Sequence, residues 1–277
     1  MMDKKRQIFL IGVFGAVAAV LIGGWFLHGK YGQGHKELII GVPTSFKTVL
    51  VPLIEQHDKN FSVDVIVKES NGQQVEQLLQ EQALDAAVTY FPVANSGNLQ
   101  TETLGVMPYI FVLNVKCGVR NLTTDMIHDV FTGKVTNWQQ IGGNNFPVVL
   151  VHPNYMNAAP YYLKQQFLPK DPFAATSLFL EQSGDVLVKV NKIDGAVGYM
   201  SLMSFRQDPS PQHKEKVTVA SVNGVFPSST AIENSSYAAV MPIHVIYQKQ
   251  LAGKELDALL GQAREVWQKT LAETRVP

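Results

Sequence analysis

Short extended segments alternate with helical segments along most of the chain, and this alternation restricts the fold more than any other feature. Strand patterns cover residues 38–42, 63–67 and 84–88. Apolar residues at helical spacing follow the first two strands, over residues 46–54 and 75–79. Strands that alternate with helices form mainly parallel sheets with helices packed against them. We therefore predict an α/β protein.

The same scheme repeats in the middle of the chain. Thr123 is a candidate N-cap for a helix that Gly133 ends. Further strands are predicted at 104–114, 146–151, 195–200, 217–222 and 244–247. Further helices are predicted after 157, at 185–193 and at 256–271. Two such series predict two lobes. We expect lobe 1 to contain residues 37–113 and 206–277, and lobe 2 to contain residues 114–205.

The first residues of the chain form an N-terminal segment with a separate role. Residues 8–27 contain no charge, and Lys4, Lys5 and Arg6 precede them. About 20 apolar residues span the hydrocarbon core of a bilayer, and a basic flank marks the cytoplasmic side. We therefore predict a cytoplasmic tail (1–7), a transmembrane signal anchor (8–27) and a tether (28–36). The main domain would then lie outside the inner or plasma membrane, in the periplasm or extracellular space.

A cleaved signal peptide is the alternative for this segment. Such a peptide needs small residues at a cleavage site just beyond its apolar region. The pattern Ala16-Val-Ala18 lies in the middle of the span instead. This placement favours an uncleaved anchor.

Charge and motif content exclude several classes of protein. Lys plus Arg and Asp plus Glu are both 23, so the chain lacks the basic excess of a nucleic-acid binder. A single cysteine, Cys117, excludes an internal disulfide and is expected to be a buried thiol. Thr132-Gly-Lys134 lacks the spacing of a phosphate-binding loop. The seven histidines show no metal-binding spacing. We expect no enzyme activity, cofactor or metal.

The turns between strands and helices are the candidate binding positions. Ligands of α/β sheets bind beyond the carboxyl ends of strands, where helix N-termini offer unpaired N–H groups. Three turns end in capping residues, namely Thr44 and Ser45, Ser70 to Gly72, and Asn157. Each has a structural alternative, since Asn71 with Gln74 three residues later also fits a capping box. Three similar turns at one sheet edge favour a shared ligand site.

Residues 121–138, with Ile141-Gly-Gly143 after them, resemble the signature of the phosphate-binding proteins of ABC transporters. The core of this resemblance is Thr132-Gly-Lys-Val-Thr-Asn-Trp138. Further similar segments are 77–88, 195–200 and 229–247, so the resemblance extends over nearly all of residues 37–250. It implies a type II periplasmic-binding-protein fold, with two lobes, two crossovers, a hinge and closure on a solute.

The anion clamp that the resemblance implies is largely missing. Pro153 stands where the family has an arginine, and residues 157–159 replace its Ser-Gly-Thr. Pro153 has no N–H to donate. His152 is the nearest potential cation and would be mostly neutral at pH 7. We therefore expect Tyr155 and Asn157 to suit a neutral or stacking ligand better than bare phosphate.

Other positions of the predicted site follow from the same alignment. Thr89 and Tyr90 occupy the turn in which the family has an acidic or serine residue, and Thr48 is an alternative to the first-turn hydroxyls. The predicted ligand-binding set is Thr44, Ser45, Thr48, Ser70, Asn71, Gly72, Thr89, Tyr90, His152, Tyr155 and Asn157.

The expected function is that of a membrane-anchored, extracytoplasmic solute-binding protein. Its lobes would close on a small solute, phosphate or another oxyanion, and its partner would be an ABC transporter permease or a membrane sensor. The alternative is a sensor or protein-interaction module of the same fold that has lost phosphate binding.

Overall fold

The computed structural model describes residues 37–43, 64–70, 74–91, 93, 97–154, 158–180 and 185–249. The chain divides into two compact units. Unit 1 contains residues 1–106 and 242–274, and unit 2 contains residues 107–241 and 275–277. The predicted membrane span, the helix predicted over 46–54 and the helix predicted over 256–271 lie outside the described residues. Within the described ranges, no helix is long and apolar enough to cross a membrane.

Unit 1 contains a four-stranded sheet in the order β2-β1-β3-β11. Strands β1, β2 and β3 are mutually parallel, and β11 is antiparallel to β3. The elements are β1 (Glu37–Val42), β2 (Asp64–Glu69), α1 (Val75–Gln80), β3 (Ala86–Thr89), the first part of β4 (Leu99–Asn114) and most of β11 (Val240–Gln248). One buried cluster joins α1 to the sheet through Val75, Leu79, Leu84, Ala87, Leu99 and Ile246. The strand-helix-strand prediction for this unit is confirmed over the described residues.

Unit 2 contains a second sheet in the order β9-β4-β8-β6-β7. Strands β6, β7 and β8 are parallel, whereas β8 and β9 run antiparallel to β4. The elements of this unit are β5 (Asn121–Leu122), α2 (Thr124–Phe131), β6 (Val149–His152), α3 (Ala158–Phe167), β7 (Leu178–Phe179), α4 (Asp185–Lys192), β8 (Ala196–Ser201), α5 (Leu202–Gln207), β9 (Val217–Val219), β10 (Ser221–Val222) and α6 (Ser229–Glu233). A small separate sheet pairs β5 with β10.

The predicted helix cap at Thr123 is confirmed. Its Oγ1 accepts a hydrogen bond from the backbone N–H of Met126 at 3.2 Å, which satisfies one of the unpaired donors at the start of α2. Ile127, Val130 and Phe131 are fully buried, so the apolar face that the periodicity predicts is the face that packs. Gly133 follows the helix with φ +80°, a backbone conformation that glycine adopts without steric cost.

Two predicted strands differ in extent from the observed ones. The strand expected from residue 146 begins at Val149, because Pro147 has no N–H for a ladder and makes only an isolated bridge to Asn137. The strand expected over 217–222 is two strands in different sheets. They separate at Ala220, whose N–H donates to the carbonyl of Phe111 at 3.0 Å.

The boundary between the units also differs from the expected lobes. Residues 206–241, which we expected in lobe 1, belong to unit 2. The reason is long-range pairing: β9 joins β4, and β10 joins β5. Strands β4 and β11 each contain residues of both units. The chain therefore passes between the units along these two strands.

Candidate functional site

Residues from separate turns meet at one edge of the sheet of unit 1. Val42 pairs with Glu69, and Gly41 pairs with Ala87, so β1, β2 and β3 end at the same edge. The N–H of Ser70 continues the ladder by donating to the carbonyl of Val42 at 2.9 Å. Thr89 and Tyr90 leave β3 at the same level. Three predicted site residues, Ser70, Thr89 and Tyr90, therefore occupy the carboxyl edge of three parallel strands, where α/β sheets bind ligands.

The hydroxyl of Ser70 is the unusual group at this edge. Ser70 is 6% exposed, and its Oγ has no hydrogen-bond partner among the residues that the structure describes. Gly41 permits this position, since a Cβ on Gly41 would lie 2.9 Å from that oxygen. Buried polar atoms are normally paired, and an exception calls for a physical explanation. A ligand that accepts or donates a hydrogen bond here would supply one.

Thr89 adds a second hydroxyl to the same edge. Its side chain is fully buried, and its Oγ1 accepts a hydrogen bond from the N–H of Phe91 at 3.0 Å. This bond shapes the turn after β3 and uses one oxygen lone pair. The hydroxyl proton is still able to donate to a ligand. Tyr90 is 9% exposed, so its ring also belongs to the buried part of the edge.

The remaining predicted residues of the first two turns and of the 155–157 turn lie outside the described residues. They are Thr44, Ser45, Thr48, Asn71, Gly72, Tyr155 and Asn157. Their role in ligand binding stays a prediction.

The structure places His152 in the core of unit 2, at the end of β6. Its side chain is fully buried, and its Nδ1 lies 3.0 Å from the hydroxyl of Tyr199. Four aromatic rings surround the imidazole, namely Phe131, Phe173, Phe179 and Tyr199. Burial lowers the pKa of His152 to about 3, so the ring is neutral at pH 7.

Its Nε2 is buried and makes no hydrogen bond to a described residue, so the role of His152 as a ligand contact stays a prediction. A neutral ring supplies no cation for an anionic ligand, and its enclosure by aromatic side chains fits a core residue. The sequence did not reveal this because the four rings come from separate parts of the chain.

Two cations of unit 2, Lys116 and Arg120, are surface charges in the structure. Lys116 forms an ion pair with Asp194 at 2.7 Å, and both side chains are about half exposed. Arg120 is exposed. A different cation, Arg206 on α5, is partly buried and was not singled out by the sequence analysis. Its position four residues after the apolar Leu202 is the signal that would have identified it.

The segment that resembles the family signature forms a folding element of unit 2. Asn137 caps a turn at Trp138–Ile141 in a capping box with Gln140. Trp138 is fully buried, and its indole Nε1–H donates to the carbonyl of Gly195 at 2.8 Å. Gly195 begins the second signature segment, 195–200. The two segments therefore contact one another. The residues in them that resemble the family signature serve the packing of the fold rather than ligand binding.

Two titratable side chains of the described ranges, those of Asp85 and Cys117, lie in structural surroundings. The carboxylate of Asp85 accepts from the N–H of Ile39 at 2.8 Å. Cys117 is fully buried, and burial raises its pKa to about 12. No group of three or more His, Cys, Asp or Glu residues suited to a metal ion occurs among the described residues.

Comparison with known proteins identifies the family. The model of the PBP superfamily domain matches residues 31–262. A curated relative, the phosphate-binding protein PstS of Bacillus subtilis, is 26% identical over 140 residues, which are 50% of this chain and 44% of that protein. The matches span about half the length of the curated relatives.

Solved structures show the same fold. An ABC-type phosphate transport receptor from Vibrio cholerae has a TM-score of 0.68 and 20% identity, covering 87% of this chain and 100% of that one. PstS from Borrelia burgdorferi has a TM-score of 0.61 and 16% identity, covering 82% and 92%. The predicted α/β periplasmic-binding fold and the resemblance to phosphate-binding proteins are confirmed.

Proposed function

The chain belongs to the PBP superfamily, and we propose that it is an extracytoplasmic solute-binding protein of the ABC-transporter type. The curated relatives are phosphate-binding proteins, and the Vibrio cholerae neighbour is a phosphate transport receptor. In this proposal the solute binds at the carboxyl edge of the sheet of unit 1, and closure of the two units retains it. A permease of an ABC transporter is the partner to which the solute passes.

The hydroxyl of Ser70 is the observation on which the proposal depends. It is buried at the end of β2 without a partner, and the hydroxyl of Thr89 lies on the same edge. A buried hydroxyl that lacks a partner costs about 1–3 kcal/mol. A solute oxygen placed against Ser70 recovers this cost when it binds, so the apo protein is poised for a ligand.

The chemistry of this edge favours a small solute rich in oxygen atoms. Hydroxyl groups donate one hydrogen bond and accept others, so they bind oxyanions and neutral polyols alike. Inorganic phosphate is the first candidate because the relatives are phosphate-binding proteins.

We further propose that residues 8–27 anchor the protein in the cytoplasmic membrane with the main domain outside. The proposal is supported by the uncharged run and by the three basic residues before it. In intact spheroplasts the protein should remain with the membranes. Protease added from outside should then digest the main domain. Release of the intact domain into the periplasmic or culture fraction would instead indicate cleavage after the span.

Isothermal titration of the full-length protein in a mild detergent tests the binding site. We expect phosphate to bind, and we expect Ser70→Ala to weaken binding about tenfold, the value of one hydrogen bond of about 1.4 kcal/mol. Ser177→Ala is the matched control. Ser177 also has a buried hydroxyl without a partner, but it precedes β7 at the opposite end of a strand. No heat with phosphate, sulfate or molybdate would reject the transport of oxyanions.

The alternative function is a sensor or interaction module that has lost phosphate binding. Pro153 favours it, because a buried residue without an N–H stands where the resemblance implies an arginine. If all three oxyanions fail to bind, affinity capture of the full-length protein from its own membranes should recover a specific membrane partner. Micromolar phosphate binding would reject this alternative.

A further inference from the structure

Arg206 lies on the buried face of a short helix in unit 2. Helix α5 starts directly after β8, and Ser201 caps it by accepting from the N–H of Ser204 at 3.0 Å. Leu202 and Phe205 on this helix are 2% and 5% exposed. Positions four residues apart share one helix face, so Arg206 lies on the same face as Leu202. This arrangement draws the guanidinium toward the interior.

Two of the three guanidinium nitrogens lack a partner among the described residues. The Nε and Nη2 atoms of Arg206 are both buried, and neither makes a hydrogen bond within this part of the chain. The acidic residue nearest in sequence, Asp208, is already engaged, since it lies 3.0 Å from the Nδ1 of His213 and accepts from the N–H of Ser210 at 2.9 Å. The charge of Arg206 is therefore uncompensated within the described part of the chain.

The geometry of these two atoms matters as much as their charge. The N–H groups of Nε and Nη2 point the same way from one edge of the planar guanidinium. They form a fork that matches two oxygens of a carboxylate or of a tetrahedral oxyanion. Burial lowers the pKa of Arg206 to about 10, so the group keeps its charge at pH 7.

An unpaired, buried cation is costly to maintain. Desolvation of a charged group is recovered only when an opposite charge and hydrogen bonds replace water. A residue that served packing alone would be replaced by an uncharged side chain of similar length without this cost. An external anion is the simplest group that would balance Arg206.

We propose that Arg206 forms an anion-binding site of unit 2, which takes two oxygens of one oxyanion or carboxylate through its Nε and Nη2. The function proposed above places the solute on unit 1 and makes no use of Arg206. The two proposals therefore stand or fall separately.

Thermal unfolding of the full-length protein in detergent tests this site. Sodium phosphate, sulfate and acetate are each compared with chloride at equal ionic strength, because screening alone also changes stability. We expect at least one of the three to raise the Tm of the wild type relative to chloride, since a ligand that binds only the folded state stabilises it. A response to acetate alone identifies a carboxylate site, and a response to phosphate and sulfate identifies a site for tetrahedral oxyanions.

Variants then assign the response to Arg206. We expect Arg206→Met to lower the response to the part that depends on Ser70 of unit 1. In chloride the variant should melt about 2–4 °C above the wild type, because an apolar side chain removes the unpaired charge. The exposed Arg120→Met is the matched control and should keep the full response. Arg206→Lys keeps a charge without the fork and should show a smaller response.

A full anion response in Arg206→Met, or no response of the wild type to any of the three anions, would overturn the inference. If Arg206→Met does not fold, an undiminished response in Arg206→Lys overturns it. Phosphate binding that depends on Ser70, together with responses to all three anions that are equal in Arg206→Met and the wild type, would leave the proposed function standing and reject this site.

Discussion

Replacing Trp138 by phenylalanine separates the structural role of the signature segment from a role in ligand binding. The indole is fully buried and donates to the carbonyl of Gly195 at 2.8 Å. Phenylalanine keeps an aromatic ring in the site but removes the N–H and part of the volume. The carbonyl of Gly195 also accepts from the N–H of Val149 at 3.1 Å, so it is not left without a donor.

The expected loss of stability has two parts. The hydrogen bond contributes about 0.5–1.5 kcal/mol net, because its acceptor keeps a second donor. The smaller ring leaves roughly 40 Å³ unfilled, which at about 24 cal/mol per Å³ adds about 1 kcal/mol. The free energy of unfolding of unit 2 should therefore fall by about 2 kcal/mol. For a unit of this size, the Tm should fall by about 4–8 °C.

Urea and thermal unfolding followed by far-ultraviolet circular dichroism measure this change. Gln139→Ala is the matched control, because Gln139 lies in the same turn with an exposed side chain, and it should change stability by less than about 0.5 kcal/mol. Solute affinity should be unchanged in the folded Trp138→Phe protein. An unfolding free energy equal to that of the wild type, or a loss of solute binding at normal stability, would refute the structural role.

Four further predictions concern pH, reactivity and backbone conformation. Hydrogen bonds to Asp129 and Asp171 raise the pKa of His128. Protonated His128 therefore stabilises the fold fully below about pH 6.5, and this stabilisation is lost as the pH rises through the higher folded-state pKa. Urea unfolding across about pH 5–9 should show this fall in the free energy of unfolding, and Asp171→Asn should reduce it. His152 acts in the opposite direction, because its folded-state pKa is about 3 whereas the unfolded state takes up a proton below about pH 6.5. The free energy of unfolding should therefore fall as the pH drops from about 6.5 toward 3, and His152→Gln should make this fall smaller. The thiol of Cys117, with a pKa of about 12, should react with a thiol reagent at pH 8 only after denaturant is added, and rapid labelling of the folded protein would contradict its burial. Gly195→Ala should lower the free energy of unfolding by more than about 2 kcal/mol, because Gly195 has φ +78° and a Cβ would overlap the carbonyl oxygen of Pro147; a variant that unfolds like the wild type would show that this turn can adjust.

The contact between the two signature segments explains why the family was recognisable although its ligand clamp was not. Trp138, Gly195 and the capped turn at Asn137 serve the packing of unit 2. Ligand residues lie at strand ends and can change without loss of the fold. The missing arginine at position 153 therefore bears on the ligand and not on the family.

Local patterns predicted most of the individual elements. Strands β1 and β3, helix α1, the Thr123 cap of α2 and helix α4 follow from apolar spacing and capping chemistry over a few neighbouring residues. These features depend on the periodicity of helices and strands and on side chains close in sequence. A single amino-acid sequence is therefore sufficient to predict them. The placement of Ser70 and Thr89 at strand ends also follows from these patterns.

Tertiary structure alone decided which strands pair and which polar groups lack partners. The break between β9 and β10 depends on two sheets whose strands are about 100 residues away in sequence, and this pairing also moved residues 206–241 into unit 2. His152 became a neutral core residue because four distant rings enclose it, and Arg206 kept two unpaired nitrogens because its helix face turns inward. Burial and hydrogen-bond satisfaction are properties of contacts between distant segments, and one-dimensional spacing does not encode them.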